Sequence, residues 1–234
     1  YDDKEINDYL NSQEQQALIL KDKVRRILLN SFEKGEFIFR GSPKPTKSYG
    51  SKLREALAGQ LKEVSELVFN KYKQAAIIVG GVDAERLLQF PDLRQLPSAY
   101  NNFDIVKSDG SIDLKHLAIN SIQEYIQHEG QAEGKKLLEY FDAAPYGWNK
   151  DTTRYLVSVM FLASDIKIRI SGEDIKVKGP KAIEALKNVN GFNKIGLSMH
   201  DEGDKPTIQM LSLSVKRLTE LTGQNVAPLQ DKIA

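Results

Sequence analysis

The sequence predicts a mostly α protein with a small β hairpin, an α+β class, and three observations carry that prediction. Apolar residues recur at helical spacing over 13–34, 51–72 and 114–164. One short stretch, 166–178, instead alternates between apolar and charged side chains. Glycine and proline fall between these segments, at Gly35, Pro91, Gly130 and Pro145, where a regular element has to stop.

Each element follows in order. Leu18, Leu20, Val24, Ile27, Leu28 and Phe32 set a helix over 13–34 that Gly35 ends, and FIF at 37–39 is extended. Leu53, Leu57, Leu61, Val64, Val68 and Phe69 give a second helix over 51–72, whose apolar stripe reads as core. Asp83 caps a helix that Pro91 terminates, and 97–110 is loop-like with a short strand at Ile105 and Val106.

Helices over 114–128 and 133–141 flank Gly130, and Asp151 caps a third that reaches Ser164. IKIRI and DIKVK then form a hairpin over 166–178 about the turn SGE. A helix at 181–188, a third strand in KIGLSM and a closing helix over 207–222 complete the chain. Three helices followed by a ribbon is the order of a winged helix. The predicted domains are a helical region 1–110, a winged-helix-like domain 111–204, and a C-terminal helix and tail 205–234.

Composition bounds the function. At 234 residues and 41% hydrophobic the chain can bury a sizeable core, and a net charge of +1 gives it no global pull toward nucleic acid or anionic membrane. Any basic surface must be local. The absence of cysteine removes disulfides, thiol catalysis and cysteine-rich zinc sites, and fits a reducing, cytoplasmic setting. The longest apolar run, 156–163, is far short of the roughly 20 residues that span a bilayer, so no membrane association is expected. The start YDDKEINDYL has neither an initiator methionine nor a signal pattern, and reads as part of a longer polypeptide.

GSPKPTKS at 41–48 resembles a Walker A loop, with Gly41, Lys47 and Ser48 in register but Thr46 where the second glycine belongs. A phosphate cradle aims consecutive backbone N–H groups at the anion. Pro43 and Pro45 have none, and Thr46 puts a branched side chain where phosphate should come closest. No nucleotide site is expected here, and a cryptic nucleotide-binding enzyme using 41–48 is the weakest alternative. His116, His128 and His200 have no metal-ligand spacing, HDEGD at 200–204 looks like a polar turn, and no nucleophile elbow occurs. No catalytic residue, metal or cofactor is assigned to this segment.

The hairpin carries the interaction signal. Alternation puts Lys167, Arg169, Lys176 and Lys178 on one side and Ile168, Ile170, Ile175 and Val177 on the other. Such a face can lie along the backbone of double-stranded DNA without sequence preference, with Lys150 and Arg154 exposed near the start of the third helix as further contacts. An ordinary solvated outer face is the competing explanation, and Glu173 and Asp174 weaken the basic one. The third helix, DTTRYLVSVMFLAS, is too apolar to read bases. In the loop PYGW, Pro145, Tyr146, Gly147 and Trp148 are expected to form a structural corner, with a partner-binding aromatic as the alternative for Trp148.

The run LLEYFDAAPYGWNKDTTRYLVSVMFLASDIKIRISGEDI resembles a region of the large P-loop ATPases of bacteriophage-exclusion (BREX) systems, of the BrxC/PglY type. The likeness rests on Phe141, the loop 145–148, Asp151 and the ribbon 166–178, with similar flanks over 50–225. It implies a cytoplasmic component of a bacterial phage-defence complex, acting with a methyltransferase and other subunits, whose parent uses ATP and Mg outside the matched part. The expectation is a non-catalytic segment that contacts DNA backbone or partner subunits. A purely structural or oligomerisation segment is the alternative.

Overall fold

A computed structural model describes residues 3–200 and 217–223. The mostly helical α+β class holds, and the chain divides into two compact units, Tyr1–Val68 and Phe69–Ala234. Among the described residues no helix is long and apolar enough to cross a membrane.

In the first unit, α1 (Asp3–Glu33) is ten residues longer at its start than the predicted helix and buries none of its residues. The chain then turns into a hairpin of β1 (Glu36–Phe39) and β2 (Ser42–Pro45), joined at Arg40 and Gly41, both with positive φ. That pair of left-handed residues matches the twist of a two-residue hairpin. A 3-10 turn (Thr46–Tyr49) leads to α2 (Leu53–Val68). The buried Thr46 ties these pieces together, its hydroxyl donating to the carbonyls of Phe32 and Gly35. Phe32, Phe37 and Tyr49 stack edge to face beside it.

The stripe on α2 corrects the expectation of core. Leu53, Leu57 and Leu61 are 41–67% exposed and only Ala56 is fully buried. The main partner of α2 in its unit is the single 3-10 turn, with Tyr49 beside Gly59 and its hydroxyl donating to Glu63 at 2.6 Å.

The second unit holds the core. It begins with a 3-10 turn (Tyr72–Ala75) and α3 (Asp83–Gln89), then passes through 3-10 turns and a bridge between Val106 and Ile112. Next come α4 (Leu117–Glu129), β3 (Ala132–Glu133), α5 (Gly134–Asp142) and α6 (Lys150–Leu162). They are followed by β4 (Ile166–Ile170), β5 (Glu173–Ile175), α7 (Pro180–Leu186), α8 (Val189–Phe192) and β6 (Gly196–Met199).

Ala75, Val79, Ala84, Leu87, Leu88 and Ile105 share one cluster with the apolar faces of α4, α5 and α6. The boundary therefore falls after Val68, not near 110, and 69–110 belong to the same unit as the predicted winged-helix domain. Residues 217–222 are helical, while 205–216 and 224–234 of the predicted closing helix and tail lie outside the described residues, as do 201–204 of the HDEGD stretch.

The caps differ from the predicted ones. The side chain of Asn149, not Asp151, accepts the N–H of Asp151 at 2.8 Å and starts α6. Asp83 sits inside α3, where its carboxylate accepts from Gly80 N and Asn102 Nδ2.

Candidate functional site

Sheet order decides what the second unit is. β3 pairs with β6, β6 with β4 and β4 with β5, all antiparallel. The sequence α4, β3, α5, α6, β4, β6 with sheet order β3-β6-β4 is a winged helix-turn-helix. Its wing is everything between β4 and β6, residues 171–195, and it contains β5, α7 and α8. The ribbon taken from sequence as the wing is only its first part, and its second strand stops at Ile175 instead of 178. Closure demands a very small residue. A Cβ on Gly134, at the start of α5, would lie 2.0 Å from the carbonyl oxygen of Phe192, while its N–H donates to Ile195 O at 2.9 Å.

The helix-turn-helix is α5, the loop 143–149 and α6. In DNA readers the second helix presents a polar face to the major groove. Here ten consecutive residues of α6, from Thr152 through Phe161, are at most 2% exposed. α6 packs against α3, α4, α5, α8 and β4. Tyr155 donates its hydroxyl to Tyr100 O at 2.8 Å, and its burial pushes the phenol well above the usual range. Thr152 Oγ1 donates to Ile77 O and accepts from Val79 N, pinning the apolar strand of chain before α3 against α6.

Arg154 corrects an expectation directly. It is fully buried, not exposed. Its guanidinium donates to Asp151 Oδ1 at 2.7 and 3.2 Å, to Gly81 O at 2.6 Å and to Leu186 O at 2.8 Å. Four of its five N–H directions are thus satisfied internally, which removes it as a phosphate contact. An aspartate three residues before an arginine in an apolar helix was the available signal, since a lone charge inside such a helix needs a partner on its own face.

The ribbon is partly as expected. Ile166 and Ile168 are buried, and Arg169 pairs across the ribbon with Asp174. That register puts Asp174 on the cationic face. Its carboxylate accepts from Arg169 Nε at 2.6 Å and lies 3.9 Å from Lys167 Nζ. The Arg169 hydrogen bond, helped by Lys167 and Lys176, holds Asp174 below the usual carboxylate range. Lys178 donates to Phe90 O at 2.7 Å, Lys181 pairs with Glu173 at 2.7 Å, and Lys150 lies 3.6 Å from Asp142 at the end of α5. Exposed pairs of this type are weak and screened by salt, so they temper the basic face without abolishing it.

The PYGW loop is internal. Trp148 is fully buried, stacked on Phe141 at 4.7 Å and 8°, and its Nε1 donates to Lys71 O at 3.3 Å. Tyr146 is 3% exposed and accepts from Lys71 Nζ, which also stands 5.0 Å from the ring centre. Pro145, after a cis peptide bond, accepts the N–H of Lys71 through its carbonyl. Gly147 has φ +63°, and a Cβ there would come within 2.7 Å of the ring of Phe69.

Residues 41–48 form no cradle. Gly41 lies in the hairpin turn, 42–45 are an extended strand, and Lys47 sits in a 3-10 turn. Thr46 N donates to Gly35 O, so by alternation Pro43 and Pro45 face away from β1, where a missing N–H costs no ladder bond. Prolines suit this edge strand and do not suit a triphosphate. Among the described residues no cluster of three or more His, Asp or Glu is placed to hold a metal ion.

Fold and site together define a winged helix-turn-helix module with an enlarged wing and an internal second helix. Residues 92–200 match the family model of the winged helix-turn-helix domain of the BREX ATP-binding protein BrxC, somewhat under half of the chain. The match ends one residue after β6. The match supports a BrxC-like segment of a BREX phage-defence protein. No curated protein and no solved structure matches the chain.

Proposed function

We propose that this chain is a non-catalytic part of a phage-defence ATPase, whose winged helix-turn-helix is a rigid docking module for other subunits of the defence system and not a reader of DNA sequence. The burial of α6 carries this reading. A helix enclosed by α3, α4, α5, α8 and β4 has no face left for base edges. The ATP and Mg of the parent would be handled by parts of the protein beyond this segment, in the bacterial cytoplasm, and residues 41–48 take no role in it.

The experiment is copurification of the chain with the remaining BREX subunits, in nuclease-treated extract. A stable complex with at least one subunit, unaffected by charge reversal at Lys167, Arg169 and Lys176, is the expected result. Loss of every partner after nuclease treatment would overturn it.

A second reading has its own support. Between 166 and 181 stand five cations against two acids, so the ribbon can touch duplex backbone weakly and without sequence preference. Fluorescence anisotropy with duplex DNA at several salt concentrations tests that contact. The third, nucleotide binding through Lys47, predicts an affinity that Lys47→Ala abolishes.

A further inference from the structure

α1 is 31 residues long and buries nothing, although a helix in water owes most of its stability to packing one face. Of its ten large exposed apolar residues, five fall on one line along the helix. Ile6, Leu10, Ala17, Leu20, Val24 and Ile27 follow the alternating three-and-four spacing of a heptad seam, with Gln13 the one polar member within it. The large ones among them are 46–60% exposed. A parallel stripe through Leu18 and Leu29 is interrupted by Asp22 and Arg25, which leaves one continuous seam.

Charge selects the occupant and its direction. Residues 3–16 carry four acids, Asp3, Glu5, Asp8 and Glu14, against one base, Lys4. Residues 17–31 carry four bases, Lys21, Lys23, Arg25 and Arg26, against one acid, Asp22. A helix acidic in one half and basic in the other is complementary to itself when reversed, and repels itself when aligned.

The seam allows that reversal. With two copies antiparallel about the point between Leu18 and Ile19, Leu10 faces Ile27, Gln13 faces Val24 and Ala17 faces Leu20. The flanking positions then set Glu14 of each copy beside Lys21 of the other. A parallel pair brings together Tyr9 with Glu14, Gln16 with Lys21 and Lys23 with Leu28 at those positions, with no pair of opposite charges. We infer that α1 is a homotypic docking element, forming an antiparallel two-stranded coiled coil with a second copy of this chain. This does not rest on the winged-helix reading, since α1 lies in the other unit.

The chain has no cysteine, so a clean crosslinking test exists. Light scattering of the full 234-residue chain at about 50 μM should give twice the 26.3 kDa monomer mass, and Leu20→Asp with Val24→Asp should return it to monomer. Leu10→Cys chains bearing a mass tag, mixed with untagged Ile27→Cys chains under oxidation, should yield mainly the mixed disulfide. Monomer mass at that concentration, or Leu10→Cys linking mainly to itself, would overturn the proposal.

Discussion

Arg154 and Asp151 stand one turn apart at the start of α6 and meet through a single carboxylate oxygen, 2.7 Å from Nη2 and 3.2 Å from Nε. The remaining donors of that guanidinium reach Gly81 O, just before α3, and Leu186 O, at the end of α7. One side chain thereby fastens two separate stretches of the second unit, before α3 and at the end of α7, to α6.

Removing that fastener is expected to be costly. Arg154→Met leaves the buried Leu186 carbonyl, the Gly81 carbonyl and the Asp151 carboxylate without their donor, a loss of about 3–5 kcal/mol. Arg154→Lys keeps the charge but cannot span three acceptors, and should lie in between. Urea denaturation followed by circular dichroism measures both. A loss below about 1 kcal/mol for Arg154→Met would mean that the fork contributes little.

The corner before α6 gives a second expectation. Trp148→Ala removes a fully buried indole stacked on Phe141 and should destabilise by about 3–5 kcal/mol. Gly147→Ala should also destabilise, because φ is +63° and the added Cβ would come within 2.7 Å of Phe69 Cδ1. Trp148 is the sole tryptophan, so its fluorescence reports the unfolding of the glycine variant directly.

Acid should weaken the start of α4. His116 Nδ1 accepts the N–H of Ala118 at 3.2 Å, and burial pushes the imidazole below its ordinary 6.5 although Asp113 pulls the other way. Its neutral form is therefore the folded one. The unfolded chain binds the proton first as pH falls from above 6.5, so this contribution is full at high pH and declines as pH drops toward the lowered folded value. His116→Asn, which keeps an acceptor and does not titrate, should flatten the difference in melting temperature between pH 8 and pH 5. An unchanged difference would remove His116 as its source.

Much of the fold was legible because helical periodicity is local. The helices at 114–128, 133–141 and 151–164 correspond to α4, α5 and α6, and KIGLSM contains β6. What stayed hidden depends on contacts distant in sequence. The two-residue β3 has no pattern of its own and exists only because β6 returns to it across more than 60 residues. Likewise, Lys167 and Arg169 can be assigned a face from alternation, but the turn decides whether Asp174 joins them. Ser171 and Gly172 both take positive φ, a two-residue turn that sets Glu173 opposite Ile170 and Asp174 opposite Arg169. Arg154 was misplaced for the same reason: its carbonyl partners lie 73 and 32 residues away.

That pairing makes Asp174 a brake on any DNA contact. Asp174→Asn should raise duplex affinity and steepen its salt dependence by roughly one counterion, whereas Lys176→Glu should do the reverse. Equal affinity for all three proteins would leave the ribbon out of DNA binding altogether.

The enclosure of α6 is tested most directly by selecting bound sequences from a randomised duplex pool with the full chain at low salt. No enriched motif is expected, because Thr152 through Phe161 offer no exposed donor or acceptor to a base edge. Recovery of a defined motif, lost again when Thr153 or Ser158 is changed to alanine, would contradict that enclosure and make α6 a recognition helix.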